Sequence, residues 1–321
     1  METPRQLHDK AMATLFKVDS LPGRYEHSEA PKLAAEALKY EIRAAEALKP
    51  GRDSEPTRSI LYRSAASIAW RLKLFGQVLE LTDTGMTDDT PEEVRLEMNE
   101  LRINALHFLS IEQRVLAAKA PSEVERFGVL VEAFEYARKA CNLLPNDDTR
   151  RPQLFHTQLT KEELKTAAEE AGREIISVLK NNLTNTNDQE QLNHHANLAA
   201  VYLDMTSIVS AAERPGLIQQ AEIHINAAMP DGASVKLILF FMRAWITFHI
   251  AQSMPPDERK KKLLDRIFSD LHSFVGKSKN DELLANASWL FAQLYYVLWR
   301  DYFYQKIEIL DYAIKMADKA L

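Results

Sequence analysis

Few residues in this chain have the types and spacing that metal binding requires. His194 and His195 lie beside two asparagines in a helical stretch, and imidazoles are common zinc ligands. Adjacent residues of a helix point about 100 degrees apart, so these two rings would share one ion poorly. We therefore expect no metal site and no cofactor.

The remaining polar motifs do not favour catalysis. Gly276-Lys277-Ser278 resembles the end of a phosphate-binding loop, but Leu271 stands where the first glycine is required, and the segment follows a helix. Cys141 is the only cysteine, which excludes an intramolecular disulfide and a cysteine-rich zinc site. Carboxylates such as Glu92 and Glu163 lie in first turns of predicted helices, where the helix dipole explains them. We therefore expect that the protein is not an enzyme.

Composition and charge narrow the class of protein further. The chain has 321 residues with only nine glycines, which favours long helices over sheets joined by tight turns. A formal net charge of -6 opposes nucleic-acid binding driven by phosphate contacts. The most apolar window, residues 235–250, is interrupted by Lys236, Arg243 and His249, so we expect no membrane span. The first residues lack the apolar core of a secretory signal, and the expected location is cytoplasmic.

Helical periodicity predicts the elements that position these residues. Ala133, Ala137 and Ala140 fall at i, i+4 and i+7, which places small side chains on one stripe of a helix that ends before Pro145. Capping boxes that begin at Thr90, Ser122 and Thr160 are predicted to start further helices. The whole pattern predicts about 13 helices and no strand. A polar, proline-bearing stretch at residues 145–160 predicts two helical regions, 1–150 and 151–321.

The alanine spacing recurs in several helices and resembles the tetratricopeptide repeat, a family of stacked helix pairs. Second helices fit at Leu38, Ile42, Ala45 and Pro50; Ala133, Ala137, Ala140 and Pro145; Ala221, Ile225 and Ala228; and Ala313, Ala317 and Ala320. First helices fit at Tyr62, Ala65, Ala66 and Ala69, and at Leu198, Ala199 and Tyr202. The resemblance implies an irregular α-solenoid of antiparallel helix pairs.

The match departs from the family pattern in three ways. The interval from Ala199 to Ala221 is too long for the repeat, Pro121 stands where a first helix needs alanine or glycine, and no strict 34-residue period runs through the chain. A generic helical bundle therefore stays open as an alternative.

The resemblance also implies where a partner binds. First helices of such arrays line a concave groove that accepts a peptide or helix of another protein. The corresponding positions here are Arg63, Ser67, Trp70, Arg71, Asn193, Asn197, Asp204, Asn286, Trp289, Gln293 and Tyr296. The chaperone-tail clamp of the family needs more basic residues than this set contains, so we do not predict that partner.

The leading hypothesis is a non-enzymatic interaction scaffold or adaptor. The alternative is a helical ligand-binding or sensor domain with an apolar pocket in the C-terminal half, built from Phe240, Phe241, Trp245 and Trp289. The basic turn at residues 258–262 is interpreted as a solvated face, with an acidic-partner contact as the alternative. The aromatic segment 289–304 is divided between core and binding anchors. A homo-oligomer formed through the predicted last helix, residues 302–321, is a further hypothesis.

Overall fold

The computed structural model describes residues 2–21, 28–144, 159–183, 187–230, 236–302 and 314–315, apart from the side chains of Glu282 and Trp299. Within these residues the protein is all-α, with twelve α-helices, a short 3-10 helix at Arg52–Ser54 and no strand. The predicted fold class is confirmed, and the helices pack in adjacent pairs. The predicted thirteenth helix, residues 302–321, lies almost wholly outside the described residues.

The helices divide between two compact units, Met1–Ala171 and Gly172–Leu321. The first unit contains α1 (Pro4–Asp19), α2 (Ala30–Glu46), α3 (Thr57–Arg71), α4 (Phe75–Gly85), α5 (Glu92–Ala117) and α6 (Glu123–Leu143). The second contains α8 (Asp188–Met205), α9 (Arg214–Ala227), α10 (Leu237–Gln252), α11 (Glu258–Val275) and α12 (Asp281–Tyr302). The division falls inside α7 (Lys161–Leu183). Most of residues 145–160 is not described, so the boundary predicted there stays a prediction.

In the first unit each helix from α1 to α6 packs against the next, and α3 also contacts α5. The predicted stripe of α6 is confirmed as a packing face, because Ala133, Ala137 and Ala140 are fully buried. The small side chain of Ala133 lets α5 approach so closely that the Ser110 hydroxyl donates a hydrogen bond of 2.8 Å to the Ala133 carbonyl.

Two buried polar groups tie helices of the first unit together. The fully buried Glu41 carboxylate of α2 lies 2.9 Å from Nδ1 of His8 on α1. The buried Arg58 guanidinium of α3 donates to the carbonyls of Thr84 and Gly85 at 2.8 and 3.4 Å. These carbonyls end α4 and have no partner within their own helix, so Arg58 caps that helix from its neighbour.

In the second unit α8, α9, α10, α11 and α12 pack in sequence order, and α10 also contacts α8 and α12. From Leu237 to Ala251 every residue of α10 is buried or half-buried, as expected for this apolar window. The predicted packing positions Ala221 and Ile225 of α9 are fully buried. No helix in the described part of the chain is both long and apolar enough to cross a bilayer.

Two of the three predicted helix caps are confirmed. Thr160 and Glu163 exchange side-chain to backbone hydrogen bonds at the start of α7, and the Ser122 hydroxyl accepts from the Glu125 amide. The capping box predicted at Thr90 is wrong. Its hydroxyl accepts from the Thr87 amide at 2.9 Å, so it closes the preceding turn, and α5 starts without a side-chain cap.

Candidate functional site

The four predicted groove residues of α3 do not share one environment. Arg63 points towards α5, where its Nε lies 2.9 Å from Oε2 of Glu97. Ser67 donates to the Arg63 carbonyl, as a helical serine commonly does. Arg71 is exposed and lines a separate cavity of about 280 Å³ beside α1 and α2. The four α3 residues share one helical face by their spacing, but they contact different neighbours.

Trp70 of α3 belongs to an aromatic cluster. Its ring centroid lies 5.1 Å from Phe75 and 5.3 Å from Phe108 of α5, and the Phe75 and Phe108 rings stack at 5.2 Å. Phe75 is buried, whereas Phe108 is 40% exposed. Trp70 thus joins the core of the first unit to an apolar surface on α5.

That surface continues along α5 and was missed by the sequence reasoning. Phe108, Ile111 and Val115 fall at i, i+3 and i+7, and they are 40%, 41% and 50% exposed. The helical spacing of these three apolar residues was a readable signal. In sequence it is indistinguishable from a core-facing stripe, because only the packing of neighbouring helices decides which stripe is covered.

The predicted residues of α8 are half-buried polar groups. The Asn193 side-chain oxygen accepts a hydrogen bond of 3.0 Å from Nζ of Lys236, which stands just before α10. Asn197 follows one turn later, and Asp204 lies near the end of α8. At Asn193, therefore, the predicted groove position is used to connect two helices.

The predicted residues of α12 include two exposed aromatic side chains, Trp289 and Tyr296. Asn286, Trp289, Gln293 and Tyr296 share one helical face, and Trp289 and Tyr296 are each 44% exposed. Trp289 stacks on Trp245 of α10, with ring centroids 5.5 Å apart and ring planes 29° from parallel.

The α10 side of this surface is also aromatic. Trp245 contacts Phe241 at 6.1 Å and His249 at 5.5 Å between ring centroids. We refer to Phe241, Trp245, Trp289 and Tyr296 as the aromatic surface of the second unit. Its tryptophan stack gives α10 and α12 one shared apolar face.

The predicted polar cluster at His194 and His195 is part of a helix contact. His195 Nδ1 lies 2.9 Å from Nδ1 of His224 on α9, so one ring donates a proton and the other accepts it. Tyr202 stacks on His224 at 5.7 Å. Burial, with smaller contributions from His195 and Lys180, lowers the pKa of His224 to about 4. In the described residues no group of three or more His, Cys, Asp or Glu side chains could hold a metal ion.

The basic turn at residues 258–262 is only partly a solvated face, which corrects that interpretation. Lys260 is 1% exposed, and its ammonium lies 2.6 Å from the Asp301 carboxylate of α12 and 3.1 Å from the Met254 carbonyl. Hydrogen bonds from Arg300, and then from Lys260, hold the pKa of Asp301 below its usual value. Lys260 is therefore a structural cation that joins the start of α11 to the end of α12.

A cavity described in this unit is distinct from the pocket expected at Phe240, Phe241, Trp245 and Trp289. That cavity, of about 700 Å³, lies between α11 and α12 and is lined by other residues, including His272, Phe291 and Tyr295.

Cys141 is buried in α6, and burial raises the pKa of its thiol. A thiol held in the neutral form is a packing group rather than a nucleophile.

No protein-family model matches the chain, and no curated protein matches it. Among solved structures, a chain from the computational design of self-assembling cyclic protein homo-oligomers is 12% identical. The match covers 99% of this chain and 92% of the designed one, with a TM-score of 0.15. A similarity of that size carries no argument about fold or function.

Proposed function

We propose that this protein is a non-enzymatic interaction scaffold, resembling a tetratricopeptide array, that binds a segment of a partner protein along its first helices. The observation that carries the proposal is the stack of Trp289 on Trp245, with Tyr296 exposed two turns further along α12. Tryptophan and tyrosine are the residues that most often dominate binding energy in protein interfaces.

The geometry of the aromatic surface suits a partner with apolar side chains. Because Trp289 is already held against Trp245, little side-chain entropy remains to be lost when a partner covers it. The amide of Gln293 lies between Trp289 and Tyr296 on the same face and offers both a donor and an acceptor to a peptide backbone. We infer an amphipathic helix or an extended segment with apolar anchors as the partner.

The charged groups with buried partners support a non-enzymatic role. Arg58, Lys260 and Arg243 are each engaged by a group on a neighbouring helix or loop, and the histidine pair of α8 and α9 is likewise satisfied. Such groups stabilise the packing of helices, as expected for structural rather than catalytic side chains. A cytoplasmic location and self-association through residues 302–321 are part of the proposal.

Affinity capture with matched variants tests the proposal. Trp289→Ala combined with Tyr296→Ala should reduce the captured partner at least tenfold, since both anchors are lost. Phe16→Ala combined with Val124→Ala removes two exposed apolar side chains of the first unit, 73% and 80% exposed, and should leave capture unchanged. Circular dichroism must show equal helix content for all variants. Full capture by the double α12 variant would contradict the assignment of this surface.

A further inference from the structure

The cavity between α11 and α12 has the size and wall of a small-molecule site. Its volume of about 700 Å³ falls within the range of roughly 300 to 1,000 Å³ found for ligand pockets. The C-terminal end of α11 supplies one side, and α12 from Asp281 to Tyr295 supplies the other. None of its lining residues belongs to the aromatic surface of the second unit, so the two sites can be tested separately.

One wall of the cavity is aromatic. His272 meets the Phe291 ring edge-on, with centroids 5.2 Å apart and ring planes at 85°. Phe291 in turn stacks with Tyr295 at 6.4 Å. The face of an aromatic ring carries a partial negative charge, so this wall attracts apolar groups and cations.

Each polar side chain of the wall offers an acceptor. His272 Nδ1 lies 2.8 Å from the Phe268 carbonyl, which can only accept, so Nδ1 carries the proton and a neutral ring presents Nε2 as an acceptor. Asp281, the first residue of α12, adds an exposed carboxylate that takes part in none of the ion pairs among the described residues. The Ser288 hydroxyl can donate or accept.

Position at the start of a helix explains why a carboxylate is favourable at Asp281. It does not explain why the acceptor nitrogen of His272 and two aromatic rings line the same cavity. No lysine or arginine is among the described lining residues, so the Asp281 carboxylate meets no basic side chain in the described wall of the cavity. A ligand with a positive charge and several N–H donors complements every one of these groups.

We propose that the cavity between α11 and α12 binds a small organic cation that consists of an apolar, preferably aromatic, body and a protonated primary amine. The apolar body packs against Phe291 and Tyr295. The ammonium group pairs with the Asp281 carboxylate and donates to the acceptors at the cavity rim. This site goes beyond the proposed scaffold function and does not depend on it.

Calorimetric titration of the full chain with two nearly isosteric probes tests the charge requirement. Tryptamine carries the ammonium group, whereas indole-3-ethanol has the same ring and a neutral hydroxyl. We expect tryptamine to bind at least tenfold more tightly. Equal affinities for the two probes, or no binding of tryptamine at millimolar concentration, would overturn the proposal.

Variants locate the site. Asp281→Asn should weaken tryptamine binding about tenfold and leave the affinity for indole-3-ethanol unchanged, because only the charge is lost. Asp265→Asn, which removes an exposed carboxylate of α11 outside the cavity, is the matched control and should change neither affinity.

Filling the cavity provides an independent measurement. Ala285→Leu and, separately, Ser288→Leu place additional methyl groups at the lining and should abolish binding of both probes. The melting temperature reports whether each variant is folded, and having two variants keeps the test decisive if one does not fold. Tryptamine affinity that is unchanged in a folded, filled variant, or in Asp281→Asn, would place the ligand elsewhere and overturn the assignment.

Discussion

Arg243 of α10 and Asp270 of α11 form an ion pair with two parallel hydrogen bonds. Nε of Arg243 lies 2.8 Å from Oδ2 of Asp270, and Nη2 lies 2.6 Å from Oδ1. Asp270 is only 3% exposed, and the guanidinium also lies over the Phe240 ring at 5.7 Å. This fork geometry gives the strongest kind of side-chain hydrogen bond, and it fixes how α10 lies against α11.

Removal of either partner should destabilise the second unit more than removal of both. Arg243→Met or Asp270→Leu alone leaves one buried charge without its partner, at a cost of about 3 kcal/mol. The double variant replaces the pair by apolar groups and should regain most of that loss. Urea unfolding of the full chain measures the three values. Additive effects in the double variant would contradict the prediction.

Gly85 allows α3 and α5 to approach the end of α4. A β-carbon at this position would lie 2.5 Å from Cβ of Tyr62 and 2.8 Å from Cε of Met98. Gly85→Ala should therefore destabilise the protein by about 2 kcal/mol, the usual cost of overpacking. Gly76→Ala in the same helix meets nothing within 4 Å and should stabilise it by about 0.5 to 1 kcal/mol. Thermal melting of the two variants should shift in opposite directions.

The histidine pair predicts a loss of stability in mild acid. The pKa of His224 is about 4 in the folded protein against 6.5 ordinarily, so the unfolded chain binds a proton first as the pH falls. The free energy of unfolding should decline between about pH 6.5 and pH 4 by up to about 3 kcal/mol from this residue, at about 1.4 kcal/mol per pKa unit.

His224→Phe, which can still stack on Tyr202, isolates this contribution. Unfolding free energies measured at pH 7, 6, 5 and 4 should follow a shallower slope in the variant than in the wild type. Relative to the wild type, the variant should therefore gain stability as the pH falls from 7 to 4. Parallel profiles over this range would show that His224 does not carry the effect.

Loss of the buried Lys260–Asp301 ion pair should destabilise the protein more than loss of an exposed lysine in the same basic turn. Asp301→Asn removes the negative partner of a buried ammonium and should cost about 3 kcal/mol. Lys261→Met changes an exposed side chain of the same turn and should alter stability by less than about 0.5 kcal/mol. Chemical denaturation of both variants checks this ranking. Equal effects would indicate that burial of Lys260 has no energetic importance.

Local periodicity was sufficient to predict much of the fold. The stripe of Ala133, Ala137 and Ala140 depends on helix geometry and side-chain size alone, so its burial could be read from sequence. The caps at Ser122 and Thr160 involve residues three apart and were equally accessible. At Thr90 the same logic failed, because the Thr87 amide of the preceding turn competes for the hydroxyl.

Which side chains of different helices contact each other could not be predicted from local spacing. Arg63 was assigned to a groove, but Glu97, a residue of another helix, lies 2.9 Å from it. The spacing of Lys260 indicates that it is buried. Leu264, Ile267 and Leu271 follow it at i+4, i+7 and i+11, and all three are buried. A lysine on that stripe must face the core, but its partner Asp301 is known only from the packing of α12.

The packing of sequence neighbours also governs how each unit folds and opens. Most helix contacts within a unit join consecutive helices, so few long loops must close before packing stabilises the chain. Contact order is therefore low, which predicts rapid folding for each unit, and stability should spread from one helix to the next. Amide hydrogen exchange should be slowest in helices such as α3 and α10, which pack against helices on both sides, and faster in α1, whose main neighbour is α2.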